Sequence, residues 1–310
     1  MLRPLLIPWT YFCLQTLLGT PQAKCQKELN MTNDAFDDQY LGCPEKMEAE
    51  ARELLKTEMS TPYSAVWQTA TKKWKDVKKT SPLKASEDEY GIAVVAYTDP
   101  TPIINGDAFS TIFNAAVSGA GKSQDNYMKE FRFKAFHYYL TRALQLLREA
   151  GEGGCVKVYP GDIHHFQLSN KEDDKIRFGH FASSSINEEV AEGFRTETTG
   201  EKGTLFTIHT CFGVKIQDMS YNPGQKEVLI PVHETFTVSQ KGNNLFDLQS
   251  TERTCSHFNC AYLGGEKTKK CVYNSAARGG LAFPSVLSPS LFGGSVILLH
   301  VAALKLFAGF

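Results

Sequence analysis

The sequence has almost no excess of charge, because 33 Lys and Arg residues oppose 34 Asp and Glu residues among 310. This balance argues against a nucleic-acid-binding protein, which normally carries a basic excess. Neither a CxxC nor an HxxxH spacing occurs, so no metal site is expected. No internal repeat is visible, and an apolar content of 42% is typical of an ordinary globular domain.

Long apolar runs are confined to the two ends of the sequence. Arg3 precedes an apolar run over 5–18, and small residues follow near 20–23. This order predicts a secretory signal peptide over 1–23. The prolines of this stretch fit the alternative, a buried N-terminal helix, poorly.

The C-terminal end has the layout of a GPI-anchor signal. Asn274-Ser275-Ala276 is a triplet of small residues, and an apolar stretch over 283–310 follows a short spacer. We expect attachment at Ser275 and removal of 276–310. The alternative is a membrane-spanning helix, although no basic segment follows the stretch, as would normally flank one. Both ends predict a mature protein on the extracellular face of the plasma membrane.

Cysteine usage agrees with an extracellular protein. Of eight cysteines, Cys13 lies in the expected signal peptide and seven remain. In an oxidising compartment these are mostly disulfide-bonded, and the odd number leaves at least one without a partner in the domain. Asn30-Met31-Thr32 is a sequon, so we expect glycosylation at Asn30.

The region 24–275 is predicted to form one α+β domain, helical in its first half and rich in strands in its second. The predicted helices are Lys46–Lys56, Tyr63–Lys78 and Tyr127–Ala150. The predicted strands are Ile92–Tyr97, Val156–Tyr159, Arg177–Ala182, Thr204–Cys211, Val228–Pro231 and Glu234–Val238.

The most informative stretch surrounds Glu227. The turn Asn222-Pro223-Gly224 precedes Gln225 and Glu227, which are two residues apart. On an extended segment two such residues point the same way, so an amide and a carboxylate would face one site. One acidic group beside one neutral hydrogen-bonding group suits chemistry at a carbon that becomes positively charged.

Several motifs occur together in one order. They are Phe36-Asp37-Asp38-Gln39-Tyr40 with Gly42-Cys43, Phe136-His137-Tyr138-Tyr139-Leu140-Thr141, Arg177-Phe178-Gly179 with Ser183-Ser184-Ser185, and Glu227-Val228-Leu229-Ile230-Pro231. Over about 35–260 the sequence resembles the vertebrate GPI-anchored ecto-mono-ADP-ribosyltransferases, especially their T-cell surface group. The resemblance implies two small packed sheets around an NAD cleft, with a helical portion beside them. It also implies NAD as substrate, cleavage of its nicotinamide N-glycosidic bond, and protein arginines as acceptors.

The resemblance assigns roles to individual residues. Glu227 takes the place of the catalytic glutamate, and Ser183 takes that of the active serine. Ser185 completes the S-x-S segment, and Ser220 and Tyr97 fall on NAD-contact positions. The disulfides implied are Cys43–Cys260 and Cys155–Cys211, which leaves Cys25, Cys255 and Cys271 without assigned partners.

Three positions depart from the family pattern. Pro160 stands where the family has the arginine that holds the NAD phosphates, His180 stands where glutamine is frequent, and Gln225 replaces the first glutamate of E-x-E. An amide cannot act as a base toward an incoming guanidinium, and in the family Gln at this position accompanies NAD hydrolysis. We interpret His180 as structural.

No nearby cation replaces the arginine in the sequence pattern. Lys157 is three residues before Pro160 and so faces the other side of an extended strand, Arg177 belongs to its own motif, and His164 and His165 are mostly neutral at pH 7. Two hypotheses therefore remain. The chain is either an NAD-cleaving ecto-enzyme in which hydrolysis is favoured, or a GPI-anchored surface protein that keeps the fold with little activity.

Overall fold

The computed structural model describes residues 26–84, 87–162, 164–168, 175–194 and 202–275. The expected signal peptide over 1–23, Cys25 and the expected anchor signal over 276–310 lie outside these ranges. Within them, no helix is both long enough and apolar enough to cross a bilayer.

The first half of the described chain is mainly helical. Its helices are α1 (Pro44–Glu58), α2 (Ser64–Val77), α3 (Asp88–Thr98), α4 (Phe109–Ala120), α5 (Gln124–Glu130) and α6 (Lys134–Leu147), with α7 (Glu188–Phe194) later in the chain. A π-helical turn, Arg148–Glu152, follows α6. Gly91 lets α3 approach α2 closely, because a Cβ there would lie 2.3 Å from the Trp74 ring.

The second half is mainly β-structure. The strands are β1 (Gln26–Leu29), β2 (Ile103–Ile104), β3 (Asp107–Ala108), β4 (Val156–Val158), β5 (Gly161–Asp162), β6 (His165–Leu168), β7 (Lys175–Ile176), β8 (Ala182–Ser185), β9 (Thr204–Thr210), β10 (Val214–Lys215), β11 (Glu227–Ile230), β12 (Glu234–Gly242), β13 (Leu245–Ser256) and β14 (Val272–Ser275). The α+β prediction is therefore confirmed.

Two sheets dominate this half. A three-stranded antiparallel sheet has the order β10-β11-β8, and a larger mixed sheet has the order β4-β9-β13-β12-β7. Strand β14 adds to β13 and β5 adds to β9 in the larger sheet. A β-bridge between Tyr159 and Ser185 joins the end of β4 to β8. The two sheets therefore meet directly at Ser185.

Strand β11 separates two cores. Val228 and Ile230 pack with Val158 and Ile208 of the larger sheet, whereas Leu229 packs in the core formed by the helices. Since side chains alternate along a strand, Glu227 shares the face of Leu229. The catalytic candidate therefore lies at the start of β11 on the side of the helices.

The predicted strand Ile92–Tyr97 is wrong, because these residues lie inside α3. All six are buried, so this helix is apolar on every side and shows no helical period in its sequence. A short, continuous apolar run rich in β-branched residues cannot be distinguished from a buried strand by pattern alone. Packing against other helices decided the outcome.

The predicted helix Tyr127–Ala150 is divided into α5 and α6. The break lies between Phe131 and Phe133, whose side chains are both buried. Glu58, at the end of α1, accepts hydrogen bonds from the backbone N–H groups of Ala135 at 2.8 Å and Phe136 at 3.1 Å. A carboxylate from another helix thus satisfies the free N–H groups of the new N-terminus.

The predicted strand Arg177–Ala182 is wrong over most of its length, because only Ala182 of these residues lies in a strand. Ile176 ends β7 in the larger sheet and Ala182 begins β8 in the smaller one. Gly179 between them has φ +69°, and a Cβ there would lie 2.5 Å from Thr32 Oγ1. Glycine is required at this position for both conformation and space.

The Arg177 side chain is buried and holds the N-terminal segment in place. It forms an ion pair of 2.6 Å with Asp37 and donates to the carbonyls of Met31, Thr32 and Cys255. The resemblance motifs around Asp37 and Arg177 are therefore parts of the scaffold.

Three disulfides connect the described residues. Two of them, Cys43–Cys260 and Cys155–Cys211, are the pairs that the resemblance implies. The third, Cys255–Cys271, links β13 to the residue before β14. The sequence left Cys255 and Cys271 unassigned because spacing alone does not determine disulfide connectivity.

Candidate active site

Antiparallel pairing of β8 and β11 brings Ser183 to Glu227. In the register of these strands Leu229 lies opposite Ser183 and Glu227 opposite Ser185. Ser183 Oγ donates a hydrogen bond to Glu227 Oε1 at 2.5 Å. Ser183 is exposed, whereas Glu227 is only 5% exposed.

Ser220 holds the other oxygen of the same carboxylate. Its Oγ donates to Glu227 Oε2 at 2.9 Å, and the Ser220 side chain is only 1% exposed. The loop that carries it is fixed by Ser220 N donating to Ile216 O and by Ile216 N donating to Glu227 O. The structure thus places Ser220 behind the carboxylate, where its hydroxyl is already used.

The two serines oppose the effect of burial on Glu227. Burial raises the pKa of the Glu227 carboxyl above its usual range, and the hydrogen bonds from Ser183 and Ser220 lower it. Each serine proton stabilises the charged form, because an ionised carboxylate only accepts hydrogen bonds. The arrangement holds one carboxylate by both oxygens in a nearly dry environment.

The interpretation of Gln225 and Glu227 as neighbours on an extended segment is wrong. Gln225 ends a 3₁₀ turn, Pro223–Gln225, and Lys226 has φ +46°, so the alternation of a strand begins only at Glu227. Gln225 is partly buried on this turn. The turn holds Gln225 next to Glu227 in the chain. The rule that side chains two residues apart on a strand point the same way does not apply to this pair.

Ser185 supports the turn that precedes Glu227. Its Oγ donates to the backbone carbonyl of Gln225 at 2.7 Å and accepts from the N–H of Asn187 at 2.9 Å. Ser185 therefore stabilises the turn, whereas Ser183 bonds the Glu227 carboxylate, although both belong to the S-x-S segment.

Tyr97 lies beneath β8 and is only 4% exposed. Its hydroxyl donates to the carbonyl of Phe181 at 2.8 Å and accepts from Asn114 Nδ2 at 2.9 Å. Burial raises the pKa of Tyr97, and repulsion from Glu227 adds to the rise. Tyr97 thus supports the strand that carries Ser183. Asn114 is a supporting residue that the sequence did not indicate, since one polar residue within a helix carries no signal.

Pro160 lies where the two sheets meet. Its neighbour Tyr159 exchanges backbone hydrogen bonds with Ser185 at 2.8 and 3.1 Å, and the carbonyl of Pro160 accepts from Phe206 N at 3.3 Å. Pro160 is buried. It has neither a side-chain charge nor an N–H, so it supplies no donor to an anion.

Two of the cations considered in the sequence, Arg177 and Lys157, are engaged away from Pro160. Every bond of Arg177 described above is to the scaffold. Lys157 Nζ lies over the ring of Tyr159 at 5.1 Å, which places it on the side of the strand away from Pro160. His180 lies edge-on to Phe178 with the ring centroids 6.0 Å apart, and His165 lies in β6. The carbonyl of His164 accepts from Thr204.

Among the described residues, one group of possible metal ligands is close together, namely Cys255, His257 and Cys271. The two sulfur atoms are joined in a disulfide, and the His257 ring nitrogens contact the carbonyl of Thr268 and Asn33 Oδ1. These groups are therefore already bonded within the protein.

The fold and the site together define a class of protein. It is an α+β protein in which a carboxylate, held by two serines at the start of the central strand of a small sheet, can stabilise positive charge that develops on a bound substrate.

Comparisons with known proteins specify the class further. A family model described as NAD:arginine ADP-ribosyltransferase matches residues 29–256. The chain is 40% identical to mouse Ecto-ADP-ribosyltransferase 5 over 292 residues, which cover 90% of this chain and 89% of the mouse protein. It is 39% identical to rat T-cell ecto-ADP-ribosyltransferase 2 over 248 residues, covering 79% and 83% of the two chains. The chain belongs to the NAD:arginine ADP-ribosyltransferase family.

Solved structures agree with this assignment. The eukaryotic mono-ADP-ribosyltransferase ART2.2, as a glutamate mutant in complex with NADH, is 37% identical with a TM-score of 0.66, covering 76% of this chain and 99% of that one. Another glutamate mutant of ART2.2, in complex with NAD, has the same identity, coverage and TM-score. The names of the relatives describe ecto-enzymes, which act at the cell surface.

Proposed function

We propose that the protein is a cell-surface enzyme that cleaves the nicotinamide N-glycosidic bond of NAD, with Glu227 as its catalytic carboxylate and hydrolysis favoured over transfer to arginine. The observation that carries the proposal is the hold of Ser183 and Ser220 on the two oxygens of a buried Glu227. The NAD and NADH complexes of ART2.2 support NAD as the substrate. No metal takes part in the proposed reaction.

In the proposed reaction the bond between nicotinamide and ribose breaks, and its electron pair goes to the nicotinamide nitrogen. Positive charge develops on the ribose, and a carboxylate fixed beside it stabilises the transition state more than the substrate. Glu227 would also accept a hydrogen bond from the 2′-hydroxyl of that ribose. Water, or the guanidinium of a protein arginine, then bonds to the anomeric carbon and loses a proton.

Gln225 supports hydrolysis as the main outcome. A guanidinium is protonated at neutral pH and attacks efficiently only when a base removes its proton. The amide of Gln225 cannot serve as that base, whereas a glutamate could. Arginines of extracellular or membrane proteins are therefore proposed as poorer acceptors than water.

The test is an assay of the purified ectodomain with etheno-NAD, whose fluorescence rises on cleavage. Glu227→Gln should lose about a hundredfold or more in rate, because the charge that stabilises the transition state is removed. Ser184→Ala is the matched control, since Ser184 Oγ donates to the carbonyl of Val228 on the other face of β8. An equal rate for Glu227→Gln and the wild type would reject the site.

The balance between hydrolysis and transfer needs a second readout. Labelling of an arginine analogue should increase in Gln225→Glu relative to total cleavage of NAD. An unchanged ratio would reject the role proposed for Gln225.

A second candidate function is a surface protein with the same fold and little activity. It is favoured by Pro160, which has no charge and whose carbonyl is already bonded to Phe206 N. Losing a charged phosphate contact costs about 2–5 kcal/mol, by analogy with truncation of one partner of a buried charge pair. A wild type without cleavage, with activity gained in Pro160→Arg, would favour this candidate and still support Glu227 as the site.

We propose that the protein is held at the extracellular face of the plasma membrane by a GPI anchor at Ser275 and is glycosylated at Asn30. Ser275 is the last residue of β14, so an anchor there would follow the folded sheet directly. Release from cells by a phosphatidylinositol-specific phospholipase tests the anchor, and retention would favour a spanning segment. Loss of a glycosidase-sensitive mass in Asn30→Gln tests the sugar.

A further inference from the structure

Thr98, the last residue of α3, is bonded to the loop that carries Ser220. This loop comprises residues 216–226, and we call it the site loop. Thr98 Oγ1 accepts a hydrogen bond from the backbone N–H of Tyr221 at 2.9 Å and donates its own proton to the carbonyl of Val95 at 3.1 Å. Because that proton is directed into α3, a lone pair of the hydroxyl is left for the site loop. The end of α3 is thus a fixed acceptor for this loop.

Tyr221 directly follows Ser220, so the bond to Thr98 acts on the residue that holds Glu227. The Ser220 hydroxyl donates to Glu227 Oε2 at 2.9 Å, and Ser220 N donates to the carbonyl of Ile216 at 2.7 Å. The bond to Ile216 fixes the backbone on one side of Ser220, and the bond to Thr98 fixes the peptide on the other side. Together the two bonds determine where the hydroxyl lies.

The same end of α3 supports the strand that carries the other serine. The Tyr97 hydroxyl donates to the carbonyl of Phe181 at 2.8 Å, directly before β8, which contains Ser183. Helix α3 is buried from residue 91 to residue 97 and packs against α2 and α6, so its end is held firmly in the core. Two consecutive residues of one helix therefore hold the two segments whose serines bond opposite oxygens of Glu227.

We propose that Thr98 is a positioning residue of the active site, which places the Ser220 hydroxyl on Glu227 by holding the backbone of the site loop. The inference rests on the proposed function for its effect on catalysis, whereas the hold on the carboxylate requires no substrate. A buried carboxylate that loses a well-placed donor is less stable in its charged form. Loss of the Thr98 hydroxyl should therefore favour the protonated form of Glu227.

The other titratable groups around Glu227 leave this effect readable. On α3 the titratable group that interacts with Glu227 is Tyr97, and burial, together with repulsion from Glu227, raises the pKa of Tyr97, so its phenol stays neutral at neutral pH. The charged residues of β10 and of the site loop are all exposed, namely Lys215, Asp218 and Lys226. A change in the pKa of Glu227 on removal of the Thr98 hydroxyl thus reports the hydrogen bonds of the carboxylate.

The first measurement is the pKa of the Glu227 carboxyl, followed by NMR of the purified ectodomain with ¹³C in the carboxyl groups of glutamate. Glu227→Gln assigns the signal by its loss. Thr98→Val keeps the branched shape and removes the hydroxyl, so the pKa of Glu227 should rise, whereas Thr98→Ser should keep the wild-type value. Thr71→Val is the matched control, because the Thr71 hydroxyl donates to a carbonyl of its own helix, that of Trp67, at 2.7 Å.

A double-mutant cycle tests whether the effect passes through Ser220. Ser220→Ala should also raise the pKa of Glu227, and Thr98→Val should add little to that rise in the Ser220→Ala background. Thr98→Ala repeats the comparison with a smaller side chain, so that a defect peculiar to valine is recognised. Equal pKa values of Glu227 in the wild type and both Thr98 variants, or fully additive shifts in the cycle, would overturn the inference.

Kinetics with etheno-NAD give the catalytic consequence. Thr98→Val should lower kcat about two- to twelvefold, the value of one neutral hydrogen bond, and should leave KM nearly unchanged, because the hold on Glu227 acts mainly in the transition state. Thr98→Ser and Thr71→Val should match the wild type. A wild type that cleaves no NAD would reject the proposed function alone, since the NMR titration needs no substrate. Normal cleavage with an unchanged pKa of Glu227 in Thr98→Val would reject this inference alone.

Discussion

Removal of the serine hydroxyls that hold Glu227 should change the pH dependence of NAD cleavage unequally. Ser220 is 1% exposed, so in Ser220→Ala no water replaces the lost donor. Ser183 is exposed, so water can take its place in Ser183→Ala. A hydrogen bond to a charged group contributes about 1.5–3 kcal/mol, so Ser220→Ala should lose about 10- to 150-fold in rate. Ser183→Ala should lose less on this account.

The sign of the pH effect follows from the causes of the pKa shift. In the proposed function Glu227 acts as a carboxylate, so activity should fall as the pH falls through its pKa. Burial already raises this pKa and both serines lower it. Each substitution should therefore move the acid limb of the rate profile to higher pH, and Ser220→Ala should move it further.

The assay is a profile of kcat/KM against pH with etheno-NAD, because this ratio reports groups of the free enzyme. Ser184→Ala, on the opposite face of β8, should leave the acid limb in place. The reasoning is refuted if Ser220→Ala has the profile of the wild type, or if Ser183→Ala moves the limb more.

Three further predictions concern the scaffold. Cys255→Ala/Cys271→Ala should lower the free energy of unfolding in urea by about 3 kcal/mol, since the disulfide spans a sequence separation of 16; an unchanged midpoint would contradict this. Arg177→Gln should cost about 3–5 kcal/mol, because it leaves the fully buried Asp37 without its cation; a double-mutant cycle with Asp37→Asn should show strong coupling, and additivity would refute it. Burial raises the pKa of Glu58 to about 7, so its contribution to stability should fall as the pH rises from about 4.5 to 7, and thermal unfolding of Glu58→Gln should lack that slope.

The pairing of Ser183 with Glu227 shows what the sequence could predict of the site. Both residues were identified from motifs, and the structure joins them because β8 and β11 pair with a register that brings the two side chains together. Ser220 was identified as well, but its position behind the carboxylate was not. Which side of Glu227 a serine occupies depends on the site loop, whose path is set by contacts with β11.

The prediction that the Gln225 and Glu227 side chains face one site from an extended segment failed because of a turn that another strand stabilises. A positive φ at Lys226 ends the alternation assumed between Gln225 and Glu227. Ser185, on a different strand, holds the carbonyl of Gln225 and so stabilises that turn. Patterns within one segment cannot show a hydrogen bond that another strand supplies.

The sequence by itself determined the α+β class and the family motifs, and it indicated Glu227 and Ser183 as candidate site residues, since these depend on residue types and their order. Only the tertiary structure decided that 92–97 is helical, that Ser220 and Ser183 share one carboxylate, and that Cys255 pairs with Cys271. The physical reason is that these features depend on burial and on partners distant in the chain. An apolar segment such as 92–97 has a local pattern that suits a buried helix and a buried strand equally, and its packing against the rest of the protein selects one of them.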